Sequence, residues 1–308
     1  MSSSMPCIAC GHESLTDLGM IHDGRLFRCY ICGTSRLEVH NKLSLKAHAA
    51  YGDAYRAGLD LEKPRKVFEL FQKILKGTPG KYKDLLDVGC GDGAFLKLAK
   101  QNNWNVLGID SDPKAVATAR KHGIQAFLGT AGKSALVEKS FDVITLWDIL
   151  EHIPNLKEVI VWLANIIRPG GKIFVLTPNA DSILDTFAYT EIFLTRRKSQ
   201  RLMNLCFNRY HLHRFTTKGL IILLRRLGFS DDIVYKMQLF SLKPELYLSG
   251  FAPGVEGWTR SARFNQLLSS TAYQLLQGFG IKNKILYVGT RVEQKNICAP
   301  PQEQEGKR

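Results

Sequence analysis

The chain has 308 residues, 45% hydrophobic and 23% charged, proportions that exclude a largely disordered polypeptide. Its formal net charge of +14 fits either a solvated basic face or attraction to an anionic partner: a phosphorylated substrate, nucleic acid or the surface of an anionic membrane. No apolar run approaches the ~20 residues of a membrane span. The opening Met1 to Pro6 lacks the basic stretch and apolar core of a secretory signal, so the expected location is the cytoplasm.

Residues 1–42 read as a small module of their own, holding Cys7-x-x-Cys10 and, eighteen residues later, Cys29-x-x-Cys32. In a reducing compartment, thiols paired at this spacing serve a metal more readily than a disulfide. Four thiolates in two hairpin-like pairs suit tetrahedral zinc, and Gly11 and Gly33 ease the knuckle turns. Redox-active thiols are the competing use. Such a zinc ribbon either stabilises a module with too little core of its own or grips a substrate.

Residues 43–83 are expected to be a helical linker, since Val67, Phe68, Leu70, Phe71, Ile74 and Leu75 recur at spacings of three and four. From residue 84 to 293 strand and helix alternate. Leu85–Val88, Asn105–Asp110, Phe141–Leu146 and Lys172–Leu176 read as strands. Ala94–Lys100, a run from Pro113 to Gly123, and Leu156–Ile167 read as helices. That order implies βαβ units: a doubly wound, mostly parallel sheet of seven strands covered on both faces. Thr216 or Thr217 is placed to cap a helix ending at Leu227-Gly228. Ile233–Phe240 and Ile285–Val292 are late strands. Insertions are expected near 180–215 and 241–280, and a disordered tail over 294–308. Between Arg196 and Arg226 stand nine Lys or Arg and no acid, either a solvated basic face or a surface for an anion.

Chemistry concentrates at Asp87-Val88-Gly89-Cys90-Gly91-Asp92-Gly93, a glycine turn between a strand and a helix. Gly-x-Gly-x-Gly differs from the Gly-x-Gly-x-x-Gly that seats a pyrophosphate. Asp87 before it would repel phosphates yet suits a cationic ligand such as a methionine-type ammonium. Asp110, ending the next strand, is placed to accept hydrogen bonds from both hydroxyls of a ribose; the alternative is a simple turn former.

These residues closely resemble the first motif of the class I S-adenosylmethionine-dependent methyltransferases. Gly108-Ile109-Asp110 is similar to that family's ribose motif, Phe141-Asp142-Val143-Ile144 to its fourth strand, and Ile167-Arg168-Pro169-Gly170-Gly171-Lys172 to the turn before its fifth. The resemblance covers roughly residues 84–230. It implies S-adenosylmethionine as cofactor, contacted by Gly89, Cys90, Gly91 and Asp110, with Gly93 and Ser111 beside them. Trp147 would lie near the methionine end, Gly129 and Thr130 near the adenine, although the stretch after Gly129 lacks the acidic residue usual there. With the ribbon, and through Tyr51, Tyr55, Thr177-Pro178-Asn179 and Leu227-Gly228-Phe229, the chain also resembles a bacterial subfamily that carries an N-terminal zinc ribbon.

Asp148, Glu151 and His152 follow the fourth of these strands at its C-terminal end, where open α/β sheets bind ligands. An acceptor hydroxyl must shed a proton as it is methylated, and His152 is the first candidate to take it, with Glu151 and His211 as companions. Capping of the next helix is the bland use of His152. The run also resembles the Glu-x-x-Glu-His of small-RNA 2′-O-methyltransferases and ubiquinone-pathway O-methyltransferases. By that resemblance a second divalent ion would sit at Asp148, Glu151 and His152, with His211 or His213 as the later histidine. The expected function is O-methylation of a sugar, glycan intermediate or small metabolite. An RNA methyltransferase holding nucleic acid by its ribbon and basic insertion, and a non-catalytic cofactor-binding scaffold, are the alternatives.

Overall fold

A computed structural model describes residues 6–22, 24–39, 62–76, 82–132, 140–197, 202–203, 207, 211–239 and 282–292. The expectations for 43–61, for the insertion at 241–280 and for the tail at 294–308 lie outside these residues.

The N-terminal residues form an antiparallel meander of β1 (Leu15–Ile21), β2 (Gly24–Cys29) and β3 (Ser35–Val39). Both faces of this sheet carry core: Leu15, Phe27 and Cys29 join one buried cluster, and Ile21, Leu26 and Leu37 another that includes Ala188 and Ile192 of the chain beyond, so consecutive Leu26 and Phe27 are both buried. A bulge between Asp17 and Gly19 bends β1, with the Gly19 N–H donating to Asp17 Oδ1 at 2.9 Å.

The larger unit contains α1 (Lys63–Lys76), β4 (Asp84–Val88), α2 (Ala94–Gln101), β5 (Asn105–Asp110), α3 (Pro113–Lys121), β6 (Ala126–Leu128) and β7 (Phe141–Trp147). It continues through α4 (Leu156–Ile166), β8 (Ile167–Pro178), α5 (Ile183–Leu194), β9 (His213–Arg214), α6 (Thr217–Arg226), β10 (Ile233–Met237) and β11 (Lys284–Thr290). Seven strands make one sheet in the order β10-β11-β8-β7-β4-β5-β6. β8, β7, β4, β5 and β6 are parallel, and β11 runs antiparallel to both its neighbours. The fold is therefore the expected doubly wound sheet.

Consecutive residues of the central strands feed opposite cores. Leu85, Val143 and Phe174 join Phe68, Phe71 and Phe95 of α1 and α2, whereas Leu86, Ile144 and Val175 join α4 and α6. Both faces being covered, these strands are apolar throughout rather than alternating. β8 starts five residues before the expected strand because Arg168-Pro169-Gly170-Gly171 remains extended along β7; Gly170 has φ +76°, and a Cβ on Gly171 would lie 2.9 Å from Asp142 O. Thr216 proves to be the cap of α6, its hydroxyl accepting the Gly219 N–H at 2.9 Å. Among the described residues no helix is long and apolar enough to cross a membrane.

The ribbon is not set apart from this unit. β9, from far along the chain, pairs with β3 through Ser35↔Arg214 and Arg36↔His213 and closes the meander into a four-stranded sheet. Two basic side chains of the Arg196–Arg226 stretch are spent on the same junction, and a third is spent within the larger unit. Lys218 Nζ donates to Ile31 O at 2.8 Å, Arg226 Nη1 donates to Ala9 O at 3.1 Å, and Arg214 is ion-paired with buried Asp185.

Candidate active site

At the C-terminal end of β4 the chain turns through Gly89, Gly91 and Gly93, with φ of +76°, +56° and +78°, a backbone region that side-chain-bearing residues seldom adopt. A Cβ on Gly89 would lie 2.0 Å from Ile149 Cγ1. Gly93 is a packing position: it begins α2, and its missing Cβ makes room for Ala119 and Ile124. Gly91 and Gly129 face open space. Between them lies Asp110, whose Oδ2 accepts the Gly91 N–H and Oδ1 the Asp112 N–H, both at 2.8 Å. Its carbonyl accepts the Gly129 N–H at 2.9 Å, and Ser111 and Thr130 are exposed beside these two residues. Burial raises the Asp110 carboxyl, against the lowering effect of those N–H donors. Cys90 turns its thiol inward against Gly108 and leaves only backbone toward the turn; burial pushes that thiol up.

Asp87 is buried at the end of β4 and accepts Thr145 Oγ1 at 2.7 Å. Burial, only partly offset by that bond, pushes its carboxyl up to about 7. Trp147 packs edge-on to Phe95 with ring centroids 5.3 Å apart, and its buried Nε1 has no hydrogen-bond partner among the described residues. Two carboxylates, one of them near neutrality, border an open cradle over glycines with an unspent indole donor. This set fits a ligand bearing vicinal hydroxyls and a cation.

Past Trp147 the backbone folds tightly. Asp148 has φ +56° and donates its N–H to Leu176 O at 2.9 Å. Its carboxylate, expected as a ligand of a second divalent ion, instead holds two ammonium groups: Lys63 Nζ at 2.7 Å and Lys284 Nζ at 2.5 Å. Burial alone would raise it, but Lys284 and Lys63 outweigh burial and hold it well below the usual carboxylate range. That corrects the sequence-based ligand set, because cations already engage both Asp148 oxygens.

Glu151, His152 and His211 do come together. Glu151 and His152 lie in a single 3-10 turn, Leu150–His152. Glu151 is buried, with Oε2 accepting Thr177 Oγ1 at 3.0 Å and Oε1 3.9 Å from His211 Nε2. The rings of His152 and His211 meet edge-on at 4.7 Å. Burial, reinforced by Asp148, pushes Glu151 up to about 7, while burial and the neighbouring His152 hold His211 well below its ordinary value, so it is neutral. One carboxylate oxygen and a nitrogen from each ring lie within 4.8 Å of one another, and Glu151 Oε1 and His211 Nδ1 are buried without hydrogen-bond partners among the described residues. That donor set fits a divalent cation. His213 is the structural histidine of the pair: buried, lowered to about 4 by its burial, and bonded through Nε2 to Ile153 O at 3.1 Å. Lys63 and Lys284 went unnoticed in the sequence, where nothing links residues so far apart to the site, and Thr177 stood there only within Thr177-Pro178-Asn179, with no tie to Glu151.

In the ribbon, Cys7, Cys10, Cys29 and Cys32 place their sulfurs within 4.8 Å of one another. Cys7 and Cys32 are 3.6 Å apart and Cys10 and Cys29 3.5 Å, near the ~3.8 Å edge of a tetrahedron with ~2.3 Å Zn–S bonds. Gly11 and Gly33, at φ +79° and +74°, close the knuckles by donating to Cys7 O and Cys29 O, each at 2.8 Å. The bond between Cys7 and Cys32 lowers the Cys32 thiol and raises that of Cys7, and burial raises Cys10. These four residues fit zinc.

A family model described as a methyltransferase domain matches residues 59–232, more than half of the chain. Ubiquinone biosynthesis O-methyltransferase of Pseudomonas aeruginosa (strain UCBPP-PA14) is 32% identical over 113 residues, 34% of this chain and 49% of that protein. The chain thus spans about half the length of the curated relatives it matches. Among solved structures, a chain of the complex between the Haloferax volcanii Trm112 methyltransferase activator and a methyltransferase aligns over 82% of this chain and 97% of its own, with TM-score 0.52 and 14% identity. A protein from Galdieria sulphuraria described as a sarcosine dimethylglycine methyltransferase aligns over 74% and 86%, with TM-score 0.50 and 13% identity; at such identities the likeness concerns the fold. Strand order, glycine turn and matched family model agree, and the chain belongs to the class I S-adenosylmethionine-dependent methyltransferases.

Proposed function

We propose that this chain is a cytoplasmic O-methyltransferase acting on a hydroxyl of a sugar, glycan intermediate or small metabolite. S-adenosylmethionine, when bound, supplies a methyl group carried on a positively charged sulfur. In this reading Asp110 accepts hydrogen bonds from the ribose hydroxyls and Asp87 faces the cationic methionine end beside Trp147. The backbone of Gly89, Cys90 and Gly91 forms the floor, and Ser111, Gly129 and Thr130 border the adenine side. His152 takes the proton that the acceptor hydroxyl loses as its oxygen bonds to the methyl carbon. His211, kept neutral by burial, and Glu151 hold the His152 ring from behind.

The observation that carries this reading is the Glu151–His152–His211 cluster, a buried acid and two imidazoles at the end of β7 next to Trp147. The O-methyltransferase names of the relatives agree with it. A divalent cation held by the same three residues is the metal-assisted version, and the ammonium groups of Lys63 and Lys284 nearby weigh against it by like charge. Cys7, Cys10, Cys29 and Cys32 would hold one structural zinc.

Purified protein given methyl-labelled S-adenosylmethionine and an acceptor pool from cells lacking the protein should place label in an alkali-stable methyl ether. Label recovered in RNA or on an amine nitrogen would contradict the proposal. Repeating the reaction with chelator, then with added Mg²⁺ or Mn²⁺, separates the base from its metal-assisted version.

A further inference from the structure

Helix α5 is apolar on both sides. Its inner side sets Ala188 and Ile192 against Ile21, Leu26 and Leu37 of the ribbon sheet. On the other side Ile183, Phe187 and Leu194 fall on one stripe, one and two further turns apart, and they are 55%, 58% and 73% exposed, with Phe193 beside them at 80%. A helix apolar all round normally lies in a protein core or in lipid, and a stripe of this kind on a surface marks an interaction site.

Basic residues outnumber acidic ones around the stripe, where Asp181, ion-paired with Lys236, lines the neighbouring groove beside Phe193. Arg196 and Arg197 end the helix in left-handed conformations (φ +50° and +67°), and Lys198 and Arg201 follow in the sequence. Arg28 lies across the Tyr189 ring at 3.6 Å, and with Arg196 and Arg197 it lines a groove of about 460 Å³ between the ribbon sheet and α5. Of the helix's carboxylates, Asp185 is buried against Arg214, and Glu191 accepts the Leu202 N–H.

We infer that this face docks on an anionic lipid bilayer, with Phe187, Phe193 and Leu194 entering the interface and Arg28, Arg196 and Arg197 meeting lipid phosphates. Large apolar side chains flanked by arginines are the composition of an interfacial helix, and each basic residue adds to attraction by anionic lipid. A second copy of the chain is the poorer occupant, because a two-fold contact centred here would set arginine against arginine. The inference is independent of the methyl acceptor.

Cosedimentation of the full chain with vesicles tests it. Phosphatidylcholine vesicles containing phosphatidylglycerol should bind the protein, and phosphatidylcholine vesicles alone should not. The double change Arg196→Gln and Arg197→Gln should weaken binding roughly thirtyfold. Phe187→Ser with Leu194→Ser should abolish it while leaving the melting temperature and the sedimentation mass unchanged. Equal binding to both vesicles, or none to either, overturns the inference. So does a lower melting temperature in the serine variant, which would mean that the chain itself covers the stripe. A shift from dimer to monomer in that variant would assign the face to a second copy instead.

Discussion

Three buried carboxyls at the strand ends divide by their neighbours. Asp87 and Glu151, buried first of all, are pushed up to about 7, whereas Lys284 and Lys63 keep Asp148 ionised. A carboxyl raised in the folded state binds its proton more tightly there than in the unfolded chain. Its stabilising contribution is complete below the unfolded value and is lost as the pH rises through about 7. Buried His211 and His213, both lowered, act in the opposite sense below about pH 6.5, so the Asp87 contribution is read as a difference. Relative to wild type, Asp87→Asn should gain melting temperature as the pH rises from about 5 to 8 in the protein without cofactor, and thermal scans of both proteins across this range measure it. Because a cationic ligand favours ionised Asp87, cofactor binding below pH 7 should release protons, which calorimetry in buffers of different ionisation enthalpy detects. His152→Ala should keep cofactor affinity near wild type and lower turnover by roughly 10²–10⁴-fold; unchanged turnover would leave His152 only its place in the turn. At this scale the glycine turn, Asp110 and the Glu151–His152 pair were legible because they are contiguous motifs. Lys63 and Lys284 were not, since they reach Asp148 from 85 and 136 residues away.

Among the elements, the ribbon was half legible. Cysteine spacing announced the knuckles, but a two-residue strand such as β9 has no period to read. That strand matters, because only Leu212 separates it from His211, and Leu37 donates its N–H to Leu212 O at 2.9 Å while Leu212 donates to Glu151 O at 2.8 Å. The ribbon thereby reaches the cluster through two backbone bonds. Cys29→Ser should lower bound zinc, measured by elemental analysis, and should also reduce turnover, with cofactor affinity little changed because the glycine turn lies on β4. Full turnover in a zinc-free variant would show the ribbon to be uncoupled from the site. Thr216 ties the same region together, capping α6 while its hydroxyl bonds to Cys32 O. Thr216→Ala should cost about 1 kcal/mol or somewhat more in denaturant unfolding.

For the molecule as a whole, alternation of apolar strands and helices was enough to give the doubly wound sheet, since strands covered on both faces have nowhere to place polar residues. The basic stretch after Arg196 was ambiguous in the sequence because charge alone does not distinguish a junction from a surface. Lys218 and Arg226 hold the ribbon to the larger unit, Arg214 pairs with Asp185 of α5, and Arg196 and Arg197 line the groove beside α5. Everything proposed for the site depends on the cradle between Asp87 and Asp110 receiving its cofactor. Isothermal titration of the full chain with S-adenosylmethionine tests this most directly. Saturable binding with one site per chain is expected, weakened about tenfold to a hundredfold in Asp110→Ala by loss of charge-assisted hydrogen bonds. No heat of binding from the folded wild type, or equal affinity in Asp110→Ala, would contradict it.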